Sequence, residues 1–285
     1  MANVRHYKGA VDIRSAQSFL FVPADEPERV AKAARSGADA IILDLEDSVA
    51  DARKADAREV AESMLRERPG ASLWLVRING VGSTGFDEDL AMVAEAAPDG
   101  VVIPKADPNV LKRVDRPVPP IIALIETAAG LALARETASD VRVERLQLGA
   151  VDLALELGLR PRPDGLELLH PRATLVLASA VAGCAAPVDS VFVGIPDLDG
   201  LERDAQLGRS LGCSGKACIH PTHVDVLHRV FRPTDLEVER AAAVLEAFDR
   251  ASGTGAGVVQ HEGTMIDRPL VEQSRRVIET ATRGA

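Results

Sequence analysis

Eight short apolar runs, separated by amphipathic stretches and each closed by a polar or turn residue, predict a closed TIM (β/α)8 barrel with a C-terminal helical extension or lid. The runs are built from Val, Ile, Leu and Ala, as strands covered on both faces are. With one Trp, one Tyr and six Phe in 285 residues, the core falls to aliphatic side chains and Ala, which suits a parallel sheet under alanine-rich helices. Eight units also exceed the five or six strands of an open sheet.

Residues 1–17 are polar and mixed and read as an arm over the outside or the end of the fold. Phe19–Val22 is the first strand, stopped by Pro23, and Glu28–Ser36 a helix stopped by Gly37. Ala40–Leu43 is the second strand and runs into Asp44, Glu46 and Asp47, three acids that call for cations nearby. Asp51–Arg68 is helical, Ser72–Val76 is a strand ending in Arg77, and Phe86–Ala97 is helical after the turn Gly80–Gly85. Gly100–Ile103 leads to Pro104 and Lys105, and a short helix over Pro108–Arg113 precedes the strand at Ile121, which runs out into Glu126. Leu131–Ser139 reads as a helix, Leu146–Leu148 as a strand leading to Asp152, and Pro171–Ala186 as a helix. Ser190–Val193 reads as the seventh strand, Leu198–Leu211 as a helix and Lys216–Ile219 as the last strand, ending in His220. The barrel is therefore expected over residues 1–232 and the extension over 233–285, with helices at Pro233–Arg250 and Pro269–Arg283. Between these helices, a glycine-rich hinge at Gly253–Gly257 and the segment Val258–Asp267 read as a lid, or as an arm reaching a neighbouring subunit.

A net charge of −10 argues against a nucleic-acid partner, which needs a basic face. No run approaches the roughly 20 apolar residues of a membrane span, and the N-terminus has no apolar signal core, so a cytoplasmic location is expected. Cys184, Cys213 and Cys218 are an odd set in a large chain, which fits structural thiols in a reducing compartment. No Gly-x-Gly-x-x-Gly or Walker loop supports a nucleotide fold.

In such barrels chemistry sits where the strands end, because the loops there vary while the strands hold them rigidly. The residues just past the eight strands are Pro23, Asp44, Arg77, Lys105, Glu126, Asp152, Gly194 and His220. Glu126 and Asp152 read either as a divalent-metal pair or as capping and salt-bridging acids. Arg77 and Lys105 read either as substrate contacts or as neutralisers of Asp44 and Glu46. His220 and His223 have a His-x-x-His spacing, but Pro221 and Thr222 between them make a loop, which disfavours a zinc site.

Several motifs together resemble the CitE-like branch of the HpcH/HpaI aldolase superfamily. They are LFVPADEPERV, GADAIILDLEDSV with Lys54 and Ala57-Arg58, LVRING, VVIPKA, IETAAG, LGAVDLALELG, GKACIHP and GTMIDRP, in order from Phe19 to Pro269. That branch contains the citrate lyase β subunit and the malyl-CoA and citramalyl-CoA lyases. The resemblance implies a metal-dependent carbon-carbon lyase of oxo-acid type. It would cleave a malyl-CoA or citramalyl-CoA type thioester reversibly into an acyl-CoA and a 2-oxo acid, with Mg2+ as cofactor and Mn2+ as the alternative ion. Also compatible are a citrate lyase β-type subunit dependent on a carrier-protein partner, a free 2-oxo-acid aldolase and a malyl-CoA thioesterase.

By the same resemblance Glu126 and Asp152 hold the metal, and Arg77 contacts the substrate and the enolate oxygen. Asp267 enters an adjacent subunit's site as acid or base. Asp44, Glu46, Asp47 and His220 support the pocket, and Lys105 joins Arg77 and Glu126 at the substrate. A homo-oligomer, in particular a trimer, is implied, with no membrane partner. The chain departs from relatives at Gln17-Ser18 and Ala24-Asp25, which removes a basic contact to the CoA phosphates or leaves it to another residue. It also has Val151 beside Asp152 where an acid is common, and His223 where glutamine is common.

Overall fold

The computed structural model describes residues 12–252, 259–261 and 264–283. Asp12–Phe231 forms one compact unit, and the residues from Arg232 onward belong to another.

In the first unit eight strands form a closed parallel barrel in sequence order, and the eighth returns to pair with the first. They are β1 (Ser18–Pro23), β2 (Ala40–Asp44), β3 (Leu73–Arg77), β4 (Gly100–Ile103), β5 (Ile121–Ile125), β6 (Val143–Leu148), β7 (Ala185–Asp189) and β8 (Gly215–Cys218). The helices are α1 (Pro27–Ala33), α2 (Lys54–Glu67), α3 (Phe86–Ala96), α4 (Pro108–Arg113), α5 (Ala128–Ala132), α6 (Ala134–Ala138), α7 (Ala150–Leu157), α8 (Leu169–Ala182), α9 (Leu198–Leu211) and α10 (His223–Phe231).

Alternation along each strand sends one set of side chains outward and the other into the barrel. The outward set, including Leu20, Ile41, Leu43, Trp74, Val76, Ile125 and Leu146, packs with Val30, Leu65, Leu90 and Leu153 of the helices in one continuous core. The inward set ends in polar groups at the C-terminal rim. Register fixes which of these meet: Asp44 is paired with Arg77 across β2 and β3, and Ile125 with Leu148 across β5 and β6. Glu126 and Gly149, one residue further along each strand, are therefore neighbours.

The opposite end is plugged by the described part of the arm. Fully buried Arg145 donates to the carbonyls of Ala16 at 2.7 Å and Ala186 at 2.9 Å and to Ser214 Oγ at 2.8 Å, and it lies over the Phe19 ring. Between barrel and helices, Lys216 and Arg172 neutralise Asp189 at 2.7 and 2.8 Å and both reach Asp204 at 2.6 Å. That network allows a lysine inside the otherwise apolar β8.

Three expectations change. The seventh strand is Ala185–Asp189, not Ser190–Val193, and the helix before it ends at Ala182 rather than Ala186. Gly183, with φ 75°, stops the helix in the left-handed conformation that glycine tolerates best. Pro187 lies inside the strand, where the register against β6 shifts, because proline has no N–H for the ladder. Val193 is 68% exposed in the following loop, so Ser190 rather than Gly194 follows the strand. The helix expected at Leu131–Ser139 is two short ones, and the first starts at Ala128, where the Thr127 hydroxyl accepts from Gly130 N at 3.0 Å. Asp152 stands in the first turn of α7 rather than at a strand end.

Described by itself, the second unit packs α11 (Asp235–Ser252) with α12 (Arg268–Arg283) around Ala247, Ile266 and Val271. Part of the Val258–Asp267 segment forms an antiparallel pair, β9 (Val259–His261) with β10 (Thr264–Ile266). The hinge expected at Gly253–Gly257 lies outside the described residues. All three cysteines are free thiols, and burial pushes Cys213 and Cys218 up to about 12. Among the described residues no helix is long and apolar enough to cross a membrane.

Candidate active site

A cavity of about 600 Å3 opens at the C-terminal rim. Its walls include Phe21, Asp44, Arg77, Glu126, Gln147 and Asp152.

Arg77, the last residue of β3, grips its register partner Asp44 with two parallel hydrogen bonds, Nε to Oδ1 at 2.7 Å and Nη2 to Oδ2 at 2.6 Å. Asp44 is held in turn by the Ser48 hydroxyl and by the backbone N–H of Glu46 at 2.9 Å. Burial alone would raise the Asp44 pKa, but the Arg77 guanidinium outweighs it and holds the carboxyl below its ordinary value. Burial likewise opposes the charge on Arg77, and the Asp44 carboxylate more than compensates. Nη1 of Arg77 lies 3.0 Å from Glu46 Oε2, yet that oxygen has no aligned hydrogen bond, so the contact is an ion pair by proximity alone. Two of the five guanidinium N–H groups are thus fixed on Asp44, while Nη1 stands 3.0 Å from Glu46 and 3.5 Å from Asp47.

Lys105 contributes twice. Its Nζ meets Glu46 Oε1 at 2.8 Å, and its backbone N–H donates to Glu126 Oε1 at 2.8 Å. The backbone there is left-handed, with φ 50°, a conformation non-glycine residues rarely take and which clusters at functional sites. The two cations answer the crowd of acids after β2, and Asp47 alone of the three stays exposed.

Glu126 is buried, and burial, the Glu46 charge and Asp152 together push its carboxyl up to about 8, against the pull of the Lys105 N–H and of Arg77. A Cβ on Gly149 would fall 2.5 Å from Glu126 Cβ and 2.7 Å from its Oε2, so this glycine is the cradle that lets the carboxylate lie where it does. Glu126 and Asp152 both line the cavity, whose walls offer carboxylates, a hydroxyl and an amide but no imidazole or thiolate. Such a hard-oxygen donor set fits a divalent Mg2+, whose charge would hold the Glu126 carboxyl ionised against the burial that raises it. Among the described residues no group of three or more His, Cys, Asp or Glu gathers as a metal cage, so the protein would supply two ligands there.

Not every expected residue joins this cavity. His220 hydrogen-bonds Thr222 Oγ1 at 2.7 Å in the loop after β8, and Ile219 beside it lines the wall instead. Asp267 belongs to the second unit, where its Oδ1 accepts from Leu270 N at 3.1 Å and caps α12. Conversely, Ser48 and Gln147 line the cavity although the strand-end rule does not point to them: Ser48 lies in the acid-rich loop after β2, and Gln147 is a single amide in an apolar strand.

The family model for "HpcH/HpaI aldolase/citrate lyase" matches residues 17–221. A citrate lyase subunit beta-like protein of Deinococcus radiodurans is 38% identical over 92% of this chain and 96% of its own length. A (3S)-malyl-CoA thioesterase of Cereibacter sphaeroides is 34% identical over 93% of this chain and 94% of its own. Among solved structures, CitE of Mycobacterium tuberculosis in complex with magnesium, acetoacetate and coenzyme A matches with a TM-score of 0.79 and 34% identity, covering 94% of this chain and 99% of that one.

Proposed function

The chain belongs to the HpcH/HpaI aldolase/citrate lyase family, and from that premise we propose that it is a Mg2+-dependent carbon-carbon lyase. Its substrate is a malyl-CoA or citramalyl-CoA type 3-hydroxyacyl-CoA, split reversibly into an acyl-CoA and a 2-oxo acid. The observation that carries this reading is one cavity in which a carboxylate pair, Glu126 and Asp152, faces the Asp44-anchored guanidinium of Arg77. It is supported by a relative crystallised with magnesium and coenzyme A.

Glu126 and Asp152 hold the ion, which when bound polarises the carbonyl of the 2-oxo acid fragment. In the cleavage direction the hydroxyl proton passes to solvent water, the O–H electron pair forms the new carbonyl, the carbon-carbon bond breaks, and its electron pair moves into the thioester as an enolate. Arg77 stabilises that oxygen with its guanidinium charge, and its pairing with Asp44 keeps the guanidinium from having to reorganise. Lys105 fixes Glu126 through its backbone and places a second cation at the rim. Proton delivery to the enolate carbon is assigned to Asp267 of a neighbouring copy, with residues 233–285 acting as the lid that carries it.

A homo-oligomer, in particular a trimer, is part of the proposal. Val151 (56% exposed) and Val193 (68%) line a groove of about 740 Å3 next to the cavity, which is the kind of apolar surface that a second copy covers. Free thiols fit a cytoplasmic setting. A second reading, thioester hydrolysis, is favoured by the malyl-CoA thioesterase relative. Mass spectrometry of purified protein with malyl-CoA and citramalyl-CoA separates the two. Acetyl-CoA together with glyoxylate or pyruvate, released with Mg2+ and abolished by EDTA, is the expected result; free CoA and intact acid would mark a thioesterase, and no cleavage of any CoA ester would overturn both.

A further inference from the structure

The two carboxylates proposed to hold the ion come from different stretches of chain. Glu126 is located by its surroundings: the Lys105 N–H donates to its Oε1, and Gly149 leaves the room its carboxylate occupies. Asp152 has no such help. Among the described residues its side chain makes no hydrogen bond or ion pair, so its place depends on where the first turn of α7 lies against β5 and α5.

Two hydrogen bonds cross between these stretches. On one side of the carboxylates the Gly149 N–H donates to the Ile125 carbonyl at 2.9 Å, continuing the pairing of β5 with β6. On the other, Glu156 Oε2 accepts from the Ala128 N–H at 3.0 Å. Glu126 lies between Ile125 and Ala128, and Asp152 between Gly149 and Glu156, so the two bonds bracket both ligands. Glu156 stands one helical turn beyond Asp152 on the same face of α7, and a bond that fixes the one locates the other.

The needs of the helix it caps do not account for this second bond. α5 is one short turn whose cap is already supplied by Thr127 Oγ1, which accepts from Gly130 N. Glu156 is exposed, and among the described residues no cation is bonded to it. The Ala128 N–H is a first-turn donor of the kind that water satisfies elsewhere. What the carboxylate adds is a link between chain segments 28 residues apart.

We infer that Glu156 is a positioning residue: it fixes the spacing of Glu126 and Asp152, and with it the affinity for Mg2+, while lying outside the cavity walls. This rests on the metal assignment of the lyase reading. Residues that orient metal ligands without binding the ion cost about 10- to 100-fold in affinity when removed, and a single bond at an exposed position belongs at the lower end.

Variants of the full chain separate the link from the charge. Glu156→Ala removes the acceptor. Ala128→Pro removes the donor and keeps the Glu156 carboxylate; proline suits the first position of a helix, and Thr127 before it already has the extended φ −127° and ψ 155° that proline demands. Alanine favours helix at 156, so both variants should fold. Mg2+ affinity by titration calorimetry, and melting temperature with and without Mg2+, would be measured. Each single variant is expected to bind Mg2+ about 10-fold more weakly, and the double variant no more weakly than either, because both remove the same bond. Glu156→Gln, which keeps an acceptor oxygen, should stay within about 3-fold of the wild type.

Wild-type affinity in Glu156→Ala would overturn the inference, as would a loss in Glu156→Ala and Glu156→Gln with none in Ala128→Pro, which would mark an effect of charge alone. Equal drops in melting temperature with and without Mg2+, at unchanged affinity, would reduce Glu156 to a helix cap. A wild type that binds no Mg2+ would remove the metal assignment together with the inference.

Discussion

Gly149→Ala isolates the contact on which the carboxylate pair depends. The Gly149 backbone has φ −101° and ψ 81°, which alanine tolerates, so the penalty comes from what the new methyl group meets. It would sit 2.5 Å from Glu126 Cβ and 2.7 Å from Oε2, whereas non-bonded carbons settle at about 3.5–4.0 Å. Glu126 or the β6–α7 turn must therefore give way by about 1 Å. Overpacking of that kind costs about 1–3 kcal/mol of stability, which the barrel should survive. A displacement of about 1 Å at a reacting centre costs about 100-fold in rate. Turnover, the Mg2+ concentration for half-maximal activity, and melting with and without Mg2+ would be measured. The expected outcome is a modest loss of melting temperature, about 100-fold lower turnover and a higher Mg2+ requirement. Wild-type turnover would refute the packing argument; lost turnover at an unchanged Mg2+ requirement would refute Glu126 as a ligand.

Glu126→Ala and Asp152→Ala should each abolish metal-dependent cleavage and the Mg2+-induced rise in melting temperature while leaving far-UV circular dichroism unchanged, and full activity in either would sink the metal assignment. Arg77→Lys removes the two-pronged grip on Asp44, and turnover should fall by about 100- to 1000-fold with folding retained; a change in KM alone would mean that the arginine only binds. At the other end of the barrel Asp39 accepts from Gln17 N at 2.7 Å and lies 3.4 Å from His228 Nε2. Burial would raise its pKa, but these partners outweigh it and lower it. A lowered folded-state value means stability that is complete above the unfolded value of 3.8 and lost as pH falls through the lower one. Melting temperature should therefore drop below about pH 4 more steeply in the wild type than in Asp39→Asn, and parallel curves would refute the link.

Parallel strands buried on both faces announce themselves as apolar runs, which is why seven of the eight lie close to where the sequence puts them. The seventh is hidden because Pro187 argues against a strand, while Val191–Val193 nearby has the apolar character of one without its pairing. The strand-end rule points to Asp44, Arg77, Lys105 and Glu126, since each follows or closes a readable run. It says nothing of how they meet. That Arg77 faces Asp44 is a matter of register, and that Lys105 binds Glu126 through its backbone depends on a left-handed turn no residue type signals. Gln147 is the sharper case: in the run Leu146–Leu148 a single amide reads as filler, and only the parity it shares with Arg145 places it inside the barrel.

The charge balance of the rim has a consequence for binding. The side chains of Asp44, Glu46 and Asp47 are paired with Arg77 and Lys105, while burial raises the Glu126 and Glu46 carboxyls and the neighbouring acids Glu46 and Asp152 add to the rise at Glu126. A 2-oxo acid is itself an anion, so the rim without a divalent cation repels the ligand it is shaped to hold. Arg77 does not relieve this, because its charge is already engaged by Asp44. Calorimetry in EDTA should then show 2-oxo acid affinity lower by at least about 10-fold than in Mg2+, with the difference lost in Glu126→Gln, which removes a ligand of the ion. Equal affinity in both buffers would mean that Arg77 or Lys105 alone captures the acid, and that the carboxylate pair plays no part in substrate binding.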